Sequence, residues 1–107
     1  MANLKQCTTF GETLRTLREE SELTLREVAA NIGVDPSLLA KIERNERQPT
    51  KQLIHAVADF FKVDAKGLQN EFLSDQIAYK ILNEEADLSI LKVAEKKVSY
   101  FKTLRHE

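Results

Sequence analysis

The stretch from Thr24 to Glu43 constrains this chain more than any other part of it. Thr24 and Glu27 stand three residues apart at the head of an apolar run. At that spacing each side chain can cap the other's backbone N–H and start a helix. Leu25, Val28, Ala29 and Ile32 then recur at three and four residues, which places them on one helical face. Gly33 can adopt positive φ and stop that helix. Directly afterwards Asp35 and Pro36 supply an N-cap and a first helical residue whose missing N–H is not needed there. So short a link forces two helices to cross steeply, and the spacing predicts a helix-turn-helix whose second helix starts at Pro36 and projects outward.

The rest of the chain also repeats apolar residues at three and four, and no stretch alternates as a strand would. Phe10, Leu14 and Leu17 predict a first helix entered through Thr8 or Thr9. The polar run Arg44–Pro49 reads as a loop. Thr50 caps a fourth helix carrying Leu53, Ile54, Val57, Ala58, Phe60 and Phe61, and Asp64 caps a short fifth with Leu68 and Phe72. Ser74 can cap a sixth, with Ile77, Ala78, Ile81 and Leu82, ending near Glu84. From about Asp87 a last helix repeats Leu91, Ala94, Val98 and Phe101 at heptad-like spacing, widened by Ile90 and Leu104. The expected fold is all-α: a five-helix domain over residues 1–72, then a helical extension over residues 73–107.

Composition narrows the chemistry. The net charge is −1 over 107 residues, but it is unevenly spread. Between Pro36 and Gln52 the basic residues Lys41, Arg44, Arg47 and Lys51 outnumber the acids Glu43 and Glu46. Between Gln69 and Glu95 six acids outnumber Lys80 and Lys92. A basic patch inside a neutral chain is the footprint of a surface for a polyanion. Cys7 is the only cysteine, so no disulfide framework or cysteine metal site closes within one chain, and a reducing cytoplasm fits. His55 and His106 have no third ligand at metal spacing. Neither a Gly-rich phosphate loop, a Ser-His-Asp set nor an H-E-x-x-H motif occurs, so neither an enzyme nor a cofactor is expected. No apolar run approaches membrane-spanning length, and no signal-peptide pattern opens the chain.

The ordered pieces Phe-Gly-Glu-Thr-Leu-Arg-Thr-Leu-Arg-Glu-Glu, Leu-Thr-Leu-Arg-Glu-Val-Ala, and Gly-Val-Asp-Pro-Ser-Leu-Leu-Ala-Lys-Ile-Glu-Arg-Asn-Glu-Arg-Gln-Pro-Thr precede the apolar fourth helix. In this order, Phe10–Leu68 resembles the XRE family, the Cro and lambda-repressor-like helix-turn-helix proteins. The resemblance implies a lambda-repressor-like domain that binds double-stranded DNA through a recognition helix over Pro36–Asn45, with Pro36, Ser37, Leu38 and Lys41 facing base edges. Lys41 suits guanine O6 and N7, Leu38 a thymine methyl, and Ser37 several edges; Leu38 reads equally well as core. Arg44, Asn45, Arg47, Gln48, Thr50 and Lys51 would grip phosphate, which fixes register but carries little sequence information. Many members have glutamine where this chain has Leu25 and Pro36. Thr24 or Arg26 would take over the phosphate contact at the first place, and DNA shape would carry more of the specificity at the second. The resemblance also implies an internal salt bridge between Arg18 and Glu43, tying the recognition helix to the first helix and keeping Glu43 off the DNA.

Because Phe10–Phe72 completes a globule, the apolar residues beyond it are surplus. They cover the chain's own core or meet a partner. The favoured reading is a homodimer built from Ile77, Ile81, Leu88, Ile90, Leu91, Val98, Phe101 and Leu104. A two-fold dimer suits inverted-repeat half-sites about 34 Å apart. The expected role is transcriptional regulation by blocking or recruiting RNA polymerase. At this length no ligand-sensing domain is expected. Small proteins of the family include restriction–modification controllers and phage repressors, and the controller reading ranks first. An antitoxin that grips a toxin through its C-terminal segment, and an adaptor without DNA binding, stay open.

Overall fold

The computed structural model describes residues 8–105; Cys7 and His106 lie outside them. Among the described residues six helices follow one another: α1 (Phe10–Glu20), α2 (Leu25–Ile32), α3 (Pro36–Glu43), α4 (Lys51–Phe61), α5 (Ala65–Asn83) and α6 (Ile90–Arg105). The fold is all-α and of the lambda-repressor-like helix-turn-helix type.

The first five helices begin where a side-chain oxygen can take an orphan N–H of the first turn. Thr9 and Glu12 form a capping box on α1, and Thr24 and Glu27 form a second on α2. Asp35 Oδ1 accepts the Ser37 N–H at 2.8 Å, with Pro36 at the first helical position. Thr50 Oγ1 accepts from Leu53 N–H at 3.0 Å, and Asp64 accepts from the N–H groups of Lys66 and Gly67. The helix ends are less uniform in residue type. Gly33 closes α2 with φ 77, but Glu22, Asn45, Lys62 and Glu85 adopt the same left-handed conformation after α1, α3, α4 and α5. Their neighbours explain how: Leu23, Val34, Glu46, Val63 and Ala86 each donate a backbone N–H back to the last full turn, closing its orphan carbonyls.

Three expectations are corrected. The short fifth helix and the sixth are one helix, α5, of 19 residues. Ser74 lies in its interior, where its hydroxyl donates to Glu71 O at 2.8 Å, so the preceding turn satisfies the group that had marked a helix start. The recognition helix ends at Glu43 rather than Asn45, because Asn45 turns left-handed. The last helix starts at Ile90 rather than Asp87: Asp87 Oδ1 accepts the Ser89 N–H at 3.0 Å, making a turn before the helix begins.

The chain divides into two compact units, Met1–Asp75 and Gln76–Glu107. In the first, the inward faces of α1–α4 meet around Phe10, Leu14, Val28, Leu39, Ile42, Ile54 and Val57, all nearly or fully buried, and Leu68 of α5 closes the core. Phe72 stands edge-on to Phe10, with centroids 6.3 Å apart. Two acids of α5 fasten the start of α1: Glu71 Oε2 accepts from the hydroxyls of Thr8 (2.7 Å) and Thr13 (2.9 Å), and Asp75 Oδ2 accepts from Phe10 N–H (2.8 Å). In the second unit no described residue of α6 is buried. No described helix is long and apolar enough to cross a membrane.

Candidate nucleic-acid interface

Two devices hold α3 against α1. Gly11 is buried, and a side chain there would meet the backbone oxygens of Ile42 and Glu43 (the latter at 2.8 Å) and Asn45 Oδ1 at 2.7 Å. Glycine thus lets the last turn of α3 lie directly on the α1 backbone. One turn along α1 from Leu14, Arg18 donates from Nε to Glu43 Oε2 at 2.7 Å and from Nη2 to Glu43 Oε1 at 3.0 Å, while its Nη1 donates to Leu23 O. The pair is shielded, with side chains 13% and 5% exposed. The hydrogen bonds that Arg18 donates to Glu43 raise the Arg18 pKa above its already high ordinary value, against the opposing pull of burial. A two-pronged guanidinium–carboxylate pair fixes angle as well as distance, so Glu43 is spent inside the protein and α3 is set at a defined slope.

That leaves the outer side of α3 in solvent. Pro36, Ser37 and Lys41 are exposed, as are Arg44, Asn45, Arg47, Gln48, Thr50 and Lys51 in the following loop and the start of α4. Leu38 is half-buried; it packs on the core and lines a groove of about 460 Å³ with Ile32, Val34 and Leu53, beside Arg47 and Thr50. Asn45 lies over Gly11. Ser37 donates its hydroxyl to Asp35 Oδ1 at 2.9 Å, and these two hydrogen bonds from Ser37, the backbone one first, hold the Asp35 carboxyl below its usual range. Thr24 and Thr50 accept N–H bonds as caps, which leaves each O–H proton to donate elsewhere. Arg26, Lys41, Arg47 and Lys51 are exposed and take part in no ion pair among the described residues. Arg44 differs: it is held by Glu46 in an exposed pair.

The surface therefore gathers cations and hydroxyl donors from the α2 start, α3, the loop and the α4 start around one projecting helix. Such an arrangement can neutralise phosphates and present a short helix to a groove. His55 is exposed on α4, and no group of residues among those described could hold a metal ion. Sequence reasoning missed Gly11, whose need for close approach has no local signature, and Glu46, whose partner stands two residues away and not on a shared helical face.

The helix-turn-helix domain family matches residues 9–69, more than half of the chain. The HTH-type transcriptional repressor RghR of Bacillus subtilis (strain 168) is 38% identical over 60 residues, which cover 55% of this chain and 44% of that protein. The chain thus spans less than half the length of this curated relative. Two solved structures share the fold, each with a TM-score of 0.54. The clp gene regulator ClgR of Corynebacterium glutamicum is 21% identical, the match covering 91% of this chain and 89% of that one. The SinR protein/SinI protein complex is 20% identical, covering 89% and 99%. With its capped α2–α3 corner and buried Arg18–Glu43 tie, this chain belongs to the helix-turn-helix family of XRE-like regulators.

Proposed function

We propose that the chain is a sequence-specific DNA-binding transcription regulator that acts as a homodimer on an inverted-repeat operator. The observation that carries this reading is the exposed outer side of α3, set outward by Gly11 and Glu43 and flanked by Lys41, Arg47 and Lys51. Pro36, Ser37, Leu38 and Lys41 read bases. Ser37, whose proton is already given to Asp35, offers lone pairs and favours the amino group of adenine or cytosine. Lys41 favours guanine. Thr24, Arg26, Asn45, Arg47, Gln48, Thr50 and Lys51 hold phosphates, joined by Arg44 once it leaves Glu46. Residues 1–72 supply this activity and residues 73–107 the dimer, through Ile77, Ile81, Leu88, Ile90, Leu91, Val98, Phe101 and Leu104. All of these but the half-buried Ile81 are exposed in the single chain, Leu88 at 68% and Leu104 at 62%. Exposed apolar residues in such number call for a cover.

Selection of bound sequences from a random duplex library tests the reading. It yields an inverted repeat whose half-sites lie about one helical turn apart. A pool without any enriched motif would leave an adaptor that works without DNA. Light scattering at micromolar concentration gives a dimer mass, and a monomer at every concentration removes the homodimer. The restriction–modification controller remains the first choice of biological setting, separable by a neighbouring methyltransferase and nuclease. A second reading is a toxin-binding antitoxin or another regulator held by a protein partner. It is favoured by the same exposed face and by a fold relative solved as a SinR protein/SinI protein complex.

A further inference from the structure

We infer that Glu46 is a built-in brake on the DNA-facing surface, holding Arg44 away from phosphate until a well-registered site competes for it. This rests on the DNA-binding reading of the same face. Arg44 Nε donates to Glu46 Oε2 at 3.0 Å and Nη2 donates to Glu46 Oε1 at 3.1 Å, so one of the two donor edges of the guanidinium is already occupied by a carboxylate, as it would be by a phosphate. The backbone places the carboxylate there. Asn45 turns left-handed with φ 64, and the Glu46 N–H donates to Lys41 O at 2.8 Å. This closes the end of α3 and brings residue 46 back beside residues 41 and 44.

Both side chains are 54% exposed, so the pair contributes little to folding. Arg44, first through hydrogen bonding, and then Lys41 through its charge hold the Glu46 carboxyl below the usual range, keeping it ionised. One acid therefore occupies one of the four cations of this stretch and screens a second. On non-specific DNA, where phosphates are met loosely, the carboxylate repels the backbone and Arg44 stays paired. On the operator, base contacts fix the register, and a phosphate brought close displaces Glu46. Specificity is a difference of affinities, and lowering the weaker one widens it.

The test uses the whole chain, with Glu46→Gln, Arg44→Ala and the double variant, against a random-sequence duplex over a range of salt. Glu46→Gln binds roughly fivefold tighter than wild type at low salt. Its plot of log affinity against log salt steepens by about 0.9, one extra phosphate. In the Glu46→Gln background Arg44→Ala removes both the gain and the added slope, a coupling read by the double-mutant cycle. Melting temperatures are the same throughout, and Glu46→Ala repeats the Glu46→Gln result. Wild-type binding with an unchanged Glu46→Gln overturns the brake alone, as does a gain that survives Arg44→Ala. If no variant binds any duplex, the DNA-binding reading falls and takes the brake with it.

Discussion

The residues up to Asp75 and those beyond it are both helical, yet they treat apolar side chains in opposite ways. In the first unit Leu14, Val28, Leu39 and Val57 have no exposed surface. In the second, Leu82, Leu88 and Leu104 are 69%, 68% and 62% exposed. Helices draw most of their stability from packing an apolar face, not from intrinsic propensity. The first unit therefore holds its shape from within, while the second leaves its apolar stripe exposed. Only one ion pair among the described residues is shielded, and it lies in the first unit, where Arg15–Glu19 and Arg44–Glu46 are exposed. The Arg18–Glu43 pair is shielded and two-pronged, whereas Lys80–Glu84 is exposed at 3.6 Å.

The sharpest way to break this contrast is to empty one apolar site in each unit. Leu39→Ala opens a cavity in a fully buried position and costs about 4 kcal/mol, read by chemical denaturation. Leu104→Ala shifts the same measurement by no more than about 0.5 kcal/mol at concentrations where the chain is monomeric. Equal losses would show that the extension has a core of its own. Next in size is Glu43→Ala, which leaves Arg18 shielded without its partner and costs about 3 kcal/mol. Lys80→Ala in the exposed pair leaves the melting temperature unchanged. Gly11→Ala follows, at about 2 kcal/mol of overpacking, with weaker DNA binding because α3 has to move off α1.

The smallest effect concerns Asp75, where the first unit fastens α5 to α1. Burial pushes this carboxyl up, the Phe10 N–H opposes the shift, and the charges of Glu71 and Glu12 reinforce it. A raised folded-state pKa means that folding favours the protonated form. Its stabilising contribution is present at low pH and is lost as pH rises through that pKa. Asp75→Asn keeps an acceptor for Phe10 without the charge. The variant melts above wild type at neutral pH, and the gap closes as the buffer is brought to about pH 4. A gap that widens on acidification contradicts the assignment.

These features differ in how readily the sequence disclosed them. The caps Thr24, Asp35, Thr50 and Asp64, and Thr9 as one of two candidates, were legible because a short polar side chain ahead of an apolar run has one strong local use. The helix ends were harder. Gly33 signalled its left-handed turn, but Glu22, Lys62 and Glu85 adopt the same conformation without a glycine, supported by hydrogen bonds of their neighbours. Ser74 misled because a serine that bonds the preceding turn looks, in sequence, like one that begins a helix. In the proposed DNA interface, the Arg18–Glu43 tie behind α3 was legible through the family pattern, and the exposed cations through their clustering. Gly11 and the Asp75–Phe10 bond depend on segments far apart in sequence, the latter by 65 residues. No local rule reaches that far.

On the proposed reading, the outward side of α3 and the loop after it form the DNA surface. That reading is tested most directly by salt titration of duplex binding for wild type and Arg47→Ala. The account requires wild-type affinity to fall linearly in a log–log plot, and Arg47→Ala to weaken binding to all sequences alike with a slope shallower by about 0.9. An Arg47→Ala chain with the affinity and slope of wild type would contradict it.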